Sequence, residues 1–344
     1  MAQQNPRADA FVCVAIVNYR TGAHLKRCVA ALEVQTFRNF EVIILDNAPQ
    51  DPLLEHLDPS LPRFRMIFAS KNLGFAKANN VIARATEAQW LATLNPDAFP
   101  APDWLERLAE ATARYPEDVM FGSTQLDAND VRRLDGAGDV YHASGIAWRG
   151  GQGHLTPARL ADGEVFAPCA AAAMYRRDVF LAIGGFEENY FCYFEDVDLA
   201  FRLRLAGYRS IQIGRAVVQH VGSASSGPRS DFAVYHGTRN RLWTFVRDMP
   251  GPLFWLLLPA HVLISTLFLA PAAFRGTLSA SLRGYRDGIL GLGAVWKTRR
   301  RIQRSRKASV RQIASAFTWS PVALFKRQPD IRPLQDPKSR RGST

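Results

Sequence analysis

The sequence predicts an α/β fold built on a mostly parallel sheet flanked by helices. Three observations predict it. Short apolar, β-branched runs alternate with helical patterns, the connections between them are too short for anything but strand–helix–strand units, and polar residues stand where the runs end. Residues 11–17 read as a buried strand closed by Asn18 and Tyr19. Leu25, Cys28, Val29 and Leu32 then recur at helical spacing. Residues 40–45 read as a second strand, closed by Asp46 and Asn47. Met66, Ile67 and Phe68 read as a third, followed by a loop and a helix over 75–88. Residues 90–94 read as a fourth strand, broken at Asn95-Pro96-Asp97. Asp103 is placed to cap a helix over 104–114. Parallel sheets bind ligands beyond the carboxyl ends of their strands. Asn18, Asp46 and Asp97 occupy three of those ends.

Residues 121–166 are rich in Gly and turn residues without a clear period, and read as loops and short strands over the site. The run Arg149–His154 is Gly-rich but follows no strong strand and opens no helix, so it reads as a flexible loop, not a phosphate loop. No GxGxxG follows the first strand, which counts against an NAD enzyme. Trp90 and Trp104 fall at core positions. Trp148 falls in a loop, where it can pack or stack on a sugar. From 178 to 203 the chain is dense in acids (Glu187, Glu188, Glu195, Asp196, Asp198) set among Phe186, Phe191, Tyr193 and Phe194. Acids at a helix start complement the macrodipole. Acids in an apolar frame have perturbable pKa values and make good bases.

Charge is unevenly placed. The 344 residues carry 43 Lys+Arg and 31 Asp+Glu, a net +12. From Arg275 onward there are 17 basic and three acidic residues, a surplus of +14 that leaves the first 274 residues at −2. A near-neutral body with a basic appendage disfavours a uniformly basic nucleic-acid binder. The polar N-terminus shows no signal-peptide pattern. Cys13, Cys28, Cys169 and Cys192 form no CxxC pair and read as reduced thiols. Both features predict a cytoplasmic protein.

Seven stretches occur in an order that resembles the inverting family-2 glycosyltransferases of GT-A fold, the nucleotide-diphospho-sugar transferases, and most closely their rhamnosyltransferase-like branch. They are CVAIVNYR (13–20), FEVIILDNA (40–48), NLGFAKANN (72–80), LNPDAF (94–99), GGFEENYFCYFEDVDLAFRL (184–203), VVQHVGSASS (217–226) and GTRNRLW (237–243). The resemblance covers about residues 11–245. It implies that Asn18 and Tyr19 line the nucleotide pocket and that Asp46 accepts hydrogen bonds from the base. It brings Asn72, Gly74 and Asn79 to the ribose and diphosphate, where a helix N-terminus suits an anion. It places Asn95 and Asp97 at the DxD position, with Asp97 as carboxylate ligand of Mg²⁺ or Mn²⁺. His220 is implied as a helper to the metal or diphosphate. Asp196 is implied as the catalytic base, supported by Glu195 and Asp198, although a helix-start role suits Asp198 equally. Arg239, Asn240 and Arg241 match a later stretch whose roles stay open.

The C-terminal region reads as a membrane attachment. Residues 253–274 are uncharged and long enough to cross a bilayer. Pro259 interrupts them, and both flanks are basic, so a single span would export the +14 tail against the positive-inside rule. A monotopic or re-entrant segment is therefore expected. Leu278, Leu282, Tyr285, Ile289, Leu292 and Trp296 recur on one helical face, ahead of the basic run 297–307. That is the pattern of a helix on anionic lipid, or of one packed on the enzyme's own core.

The expected organisation is a disordered 1–10, a GT-A catalytic domain over 11–248, a helical membrane-associated region over 249–325, and a mobile basic tail over 326–344. The expected function is transfer of a sugar, rhamnose or galactose, from a dTDP- or UDP-sugar to a lipid-linked or cell-surface glycan. It would take place at the cytoplasmic face of the cell membrane, with no nucleic-acid partner. The alternative is a non-catalytic membrane or nucleic-acid-binding adaptor on the same scaffold, which the intact Asp46, Asp97 and Asp196 weigh against.

Overall fold

The computed structural model describes residues 10–48, 63–158, 161–222 and 230–334. The expected disordered N-terminus, except for the buried Ala10, lies outside these residues, as do 223–226 of the stretch 217–226 and the tail beyond Leu334.

The first half alternates as expected: β1 (Val12–Asn18), α1 (Ala23–Glu33), β2 (Phe40–Asp46), β3 (Phe64–Phe68), α2 (Gly74–Ala85) and β4 (Trp90–Leu94). Then come β5 (Ala98–Pro100) and α3 (Trp104–Arg114). β1 pairs in parallel with β2 and β4, and β2 with β3. Helices cover both faces, which is why the strands read as unbroken apolar runs and do not alternate. In β1, Val12, Val14 and Ile16 join α1 and α3 on one side. Cys13, Ala15 and Val17 join α2 on the other. Asp103 occupies the position before α3, but its carboxylate pairs with Arg107 at 3.0 Å and does not cap the helix.

Residues 121–166 hold the short strands expected, and one long strand that was not. They hold β6 (Met120–Asp127), an eight-residue strand inside the main sheet, then β7 (Leu134–Ala137), β8 (Asp139–Tyr141), β9 (Ala147–Arg149) and β10 (Gly163–Val165). Ser123, Thr124 and Gln125 of β6 are polar yet buried, so hydropathy alone hides the strand. After it come β11 (Ala172–Arg176), α4 (Arg177–Ala182), α5 (Glu195–Leu205) and β12 (Ser210–His220). The sheet runs β10-β12-β6-β11-β4-β1-β2-β3, with β11 antiparallel between β4 and β6.

The remainder is helical: α6 (Asp231–Asp248), α7 (Gly251–Leu267), α8 (Leu269–Phe274), α9 (Leu278–Leu290), α10 (Leu292–Arg304), α11 (Val310–Ala316) and α12 (Pro321–Lys326). It folds back onto the α/β body. The inner face of α7 (Leu253, Phe254, Leu257, His261, Ser265) is buried. The His261 ring stacks on Phe245 at 4.0 Å, and its Nδ1–H donates to the Ser144 carbonyl at 2.8 Å. Arg299, inside the basic run, is also buried: it donates to the Val246 and Met249 carbonyls at 2.6 Å, at the end of α6. The face 278–296 is not one exposed stripe. Gly291 separates α9 from α10, and α9 packs on α6 through small residues. A Cβ at Gly284 would stand 2.7 Å from the Tyr235 carbonyl oxygen. Leu282 and Ile289 face outward, while Leu292 and Trp296 pack on the core.

The tail expected to be mobile from 326 is instead held as far as Leu334. Arg332 bridges to Glu164 of β10, and its guanidinium donates to the Ser315 and Phe317 carbonyls.

Candidate active site

A cleft of about 650 Å³ opens beyond the carboxyl ends of β1 and β4, where the order of the parallel strands reverses. Tyr19, Asn72, Gly74, Asn95, Asp97, Glu195, Asp196 and His220 line it. Residues expected from five separate stretches therefore meet in one place.

Three expected residues stand behind the wall, not in it. Asn18 is fully buried, donating to Asp46 Oδ1 at 3.2 Å while accepting from Thr21. Asp46 also accepts from the Ala48 N–H, so it fixes the strand end. Asn79 is buried in α2 and donates to the Phe75 carbonyl. The neighbour that lines the cleft is Asn47, itself buried. Its amide donates to Asn72 Oδ1 at 2.9 Å and its oxygen accepts from the Leu73 N–H at 2.7 Å, ordering the loop that opens α2. Gly74 has φ +78°, and a Cβ there would stand 2.6 Å from Phe191, so α2 can approach the acidic loop only with glycine.

At the end of β4, His220 Nε2 lies 3.3 Å from both Asp97 Oδ1 and the Asn95 amide. Its Nδ1 lies 2.7 Å from Asp135, which Arg149 also pairs. Burial works against a charged His220, but the hydrogen bonds to Asp135 and Asp97 outweigh it and raise its pKa. Asp135 was absent from the sequence-based set because it lies in the Gly-rich stretch without period. The arrangement suits a hard cation: an Asp oxygen and a His nitrogen converge on the cleft, and a second carboxylate orients the ring from behind.

Opposite stands the head of α5. Asp196 accepts from the Ala170 N–H at 3.1 Å and the Val197 N–H at 2.8 Å. Burial raises its pKa against those bonds and the Arg149 charge. Glu195 is raised further, first by burial and then by the Asp196 charge, and its Oε2 is buried without a partner. Asp139 is raised by the same two causes. Ligand atoms of Asp139, Cys169 and Asp196 lie within 4.8 Å of one another. Several acids crowd one apolar frame, and among them Asp196, with two backbone N–H donors, is best placed to ionise.

Asp198 does not face the cleft. It is fully buried and pairs with Arg202 at 2.8 Å and with Arg247. Arg202 in turn donates to the Ile183 and Gly185 carbonyls. Asp198 therefore ties α5 to α6 and supports neither base nor acceptor directly. Asn240 of α6 donates to the carbonyls of Tyr190, Cys192 and Tyr193, in the loop that precedes α5. Trp148 lines the cleft with its indole N–H bonded to the Gln328 carbonyl. Trp104 is core, as expected, donating to Ser123.

The profile of Glycosyl transferase family 2 matches residues 13–184, half the chain. The chain belongs to this family. It is 29% identical over 276 residues to the N-acetylglucosaminyl-diphospho-decaprenol L-rhamnosyltransferase of Mycobacterium tuberculosis, covering 71% of this chain and 88% of that one. It is 28% identical over 221 residues to the O-antigen biosynthesis protein RfbC of Myxococcus xanthus, covering 58% of this chain and 16% of the other. Among solved structures it is similar to S. aureus TarS 1–349 in complex with UDP-GlcNAc (TM-score 0.56, 14% identity, 92% of each chain). It is also similar to the mannosyltransferase PcManGT from Pyrobaculum calidifontis in complex with GDP-Man and Mn²⁺ (TM-score 0.53, 18% identity, 90% and 88%). The fold is the GT-A fold of these enzymes, and this family-2 chain is a glycosyltransferase.

Proposed function

We propose that this glycosyltransferase is an inverting, divalent-cation-dependent enzyme that transfers rhamnose, or failing that galactose, from a dTDP- or UDP-sugar to a lipid-linked glycan. The observation that carries the reading is Asp196, held by two backbone N–H groups across the cleft from Asp97 and His220. The similarity to a transferase named for a diphospho-decaprenol acceptor favours the lipid-linked class.

Asp196 would take the proton from the acceptor hydroxyl as its oxygen bonds to the anomeric carbon. The bond from that carbon to the diphosphate oxygen breaks in the same displacement, and the nucleoside diphosphate leaves. One displacement inverts the centre, so no second, nucleophilic carboxylate is needed. Asp97 and His220 would hold Mg²⁺ or Mn²⁺, whose charge offsets that of the leaving diphosphate. Asn47, Asn72 and Gly74 border the donor's end of the cleft, at the start of α2.

The C-terminal helices supply the membrane side of the proposal. The 24-residue segment Gly251–Phe274 is long and apolar enough to cross a bilayer, but its inner face is packed on the protein. Its outer face leaves Trp255, Leu256, Val262, Leu263, Leu267 and Phe274 exposed at helical spacing. That geometry fits a helix lying on the surface, with the exposed cations of α10 toward anionic headgroups. Nucleotide sugars are cytosolic, which puts the surface on the cytoplasmic side. The test is product formation from dTDP-rhamnose and from UDP-galactose on an N-acetylglucosaminyl-diphospho-lipid, with and without EDTA. Transfer that survives both EDTA and Asp196→Asn would refute the reading.

A further inference from the structure

Beside the catalytic cleft lies a second cavity of about 320 Å³, between α6, α8, α9 and the β8–β9 hairpin. The two share Ala147, Phe194 and Gly237 in their walls, so they adjoin. Their chemistry is opposite. The cleft is lined by Asp97, Asp139, Glu195 and Asp196 and, among the described residues, by one arginine, Arg149. The second cavity is lined by Arg241, Arg275 and Arg327 and, among the described residues, by no carboxylate.

Arg241 is its central group. It lies one helical turn, about 5.4 Å, beyond the shared Gly237 on α6, so both face the same way. Its Nη2 donates to the Tyr285 hydroxyl at 2.5 Å, and that hydroxyl donates to the Ser265 carbonyl at 2.9 Å. The guanidinium is thereby held, yet no carboxylate of the described residues pairs with it, and its Nε is buried without a hydrogen-bond partner. A buried guanidinium donor left unpaired is costly, and an anionic ligand relieves that cost. Thr277 and Ser281 add hydroxyls at the start of α9. The remaining wall is apolar: Phe268, Leu269 and Pro271, continuous with the exposed Leu267 and Phe274.

We propose that this cavity is the acceptor's diphosphate and lipid subsite. Arg241 and Arg275, with Arg327 at the rim, bind a diphosphate one sugar ring away from Asp196. The isoprenoid chain leaves over Phe268 and Leu269 onto the apolar face of α7 and α8, and so into the membrane that face lies on. The inference rests on the lipid-linked acceptor proposed above and assigns the residues that recognise it. It also explains the separation of charge. The donor diphosphate enters an acidic cleft that a cation must neutralise, whereas the acceptor diphosphate meets fixed arginines.

The test compares two acceptors on the full chain: N-acetylglucosaminyl citronellyl diphosphate and octyl N-acetylglucosaminide, which has an apolar tail but no diphosphate. Wild type is expected to prefer the diphosphate in kcat/KM. Arg241→Gln combined with Arg275→Gln is expected to shrink that preference by at least about 10-fold. Calorimetric binding of citronellyl diphosphate should weaken by a similar factor, a readout independent of turnover. Arg275→Gln alone, at an exposed position, gives the same direction without touching the core. If wild type prefers the diphosphate and both variants keep that preference and the affinity, the subsite assignment is wrong while the lipid-linked reading stands. If wild type shows no preference for the diphosphate, the lipid-linked reading fails and takes the subsite with it.

Discussion

The side-chain amide of Asn240 donates to the main-chain carbonyl of Tyr193 at 2.8 Å, and the same nitrogen reaches the carbonyls of Tyr190 and Cys192. The loop it holds is strained. Phe191, Tyr193 and Phe194 take φ of 66°, 67° and 70°, which non-glycine residues rarely adopt. That strain sets Glu195 and Asp196 at the head of α5. Asn240→Ala removes the donor from three carbonyls, so the loop relaxes. The expected result is a fall of kcat by about 10- to 100-fold, because a small misplacement of a base costs that much. Thermal unfolding should register a loss of about 1–3 kcal/mol. A variant with wild-type kcat would show that the loop holds its shape without Asn240.

The acid limb of the rate is assigned to Asp196. The ionised carboxylate accepts the acceptor's proton, and burial raises its pKa above the usual carboxylate value. Activity is therefore present above the raised pKa and lost as pH falls through it. The kcat/KM profile should bend at a pH higher than an exposed aspartate would give. Asp196→Asn should lose about 10²- to 10⁴-fold in kcat, and the small residual rate should lack that bend. A bend of unchanged position in the variant would assign the limb to another group.

The contact between Asp135 and His220 at 2.7 Å predicts how the cation is held. Asp135→Asn keeps the shape but removes the charge that orients the ring behind its metal-facing nitrogen. Metal affinity is expected to fall about 10- to 100-fold, read as the Mn²⁺ concentration for half-maximal transfer. Asp97→Ala should abolish activation at any Mn²⁺ concentration. If Asp135→Asn leaves the Mn²⁺ requirement unchanged, His220 does not serve the cation.

What was legible in the sequence follows from where each signal resides. Strands β1, β2 and β4 were readable because both of their faces are buried, so apolar residues run without interruption. Strand β6 was not, because Ser123, Thr124 and Gln125 are buried by pairing with neighbours, including the Thr124 hydroxyl on the Gly214 carbonyl, and polarity masks that. Asp97 was readable from the strand end it follows and Asp196 from the acid cluster that opens a helix, whereas His220 was reached only through the family resemblance of 217–226. Asp135 and Asn47 were missed as site residues because their importance lies in the partner they hold. Asn18, Asp46 and Asn79 share the same stretches, yet the backbone turns them inward, and a one-residue offset between Asp46 and Asn47 decides which side chain meets the cleft.

Asp198 tests a distinction between support and structure. It is fully buried between Arg202 and Arg247, themselves 7% and 3% exposed. Removing its charge leaves two buried cations short of a partner, a change of about 3–5 kcal/mol. Asp198→Asn should lower the unfolding midpoint by more than about 6 °C in a domain of this size. An unchanged midpoint with a raised acceptor KM would instead return Asp198 to the acceptor.

The outer face of α7 separates a surface helix from an ordinary core helix. Leu256 and Leu263 are 69% and 59% exposed, and no described part of the chain covers them. Replacing an apolar side chain that lies in lipid removes about 1.5–3 kcal/mol of burial. Leu256→Asn with Leu263→Asn should therefore reduce co-sedimentation with anionic vesicles by at least about 10-fold, while the unfolding midpoint stays near that of wild type. Val34→Asn is the control, since Val34 is 57% exposed at the end of α1, outside the C-terminal helices. Raising the salt should weaken wild-type binding through Lys297, Arg300, Arg301 and Arg304, exposed cations each worth about 1 kcal/mol near such a surface. Equal sedimentation of the double variant, the control and wild type would show that this face does not meet the membrane.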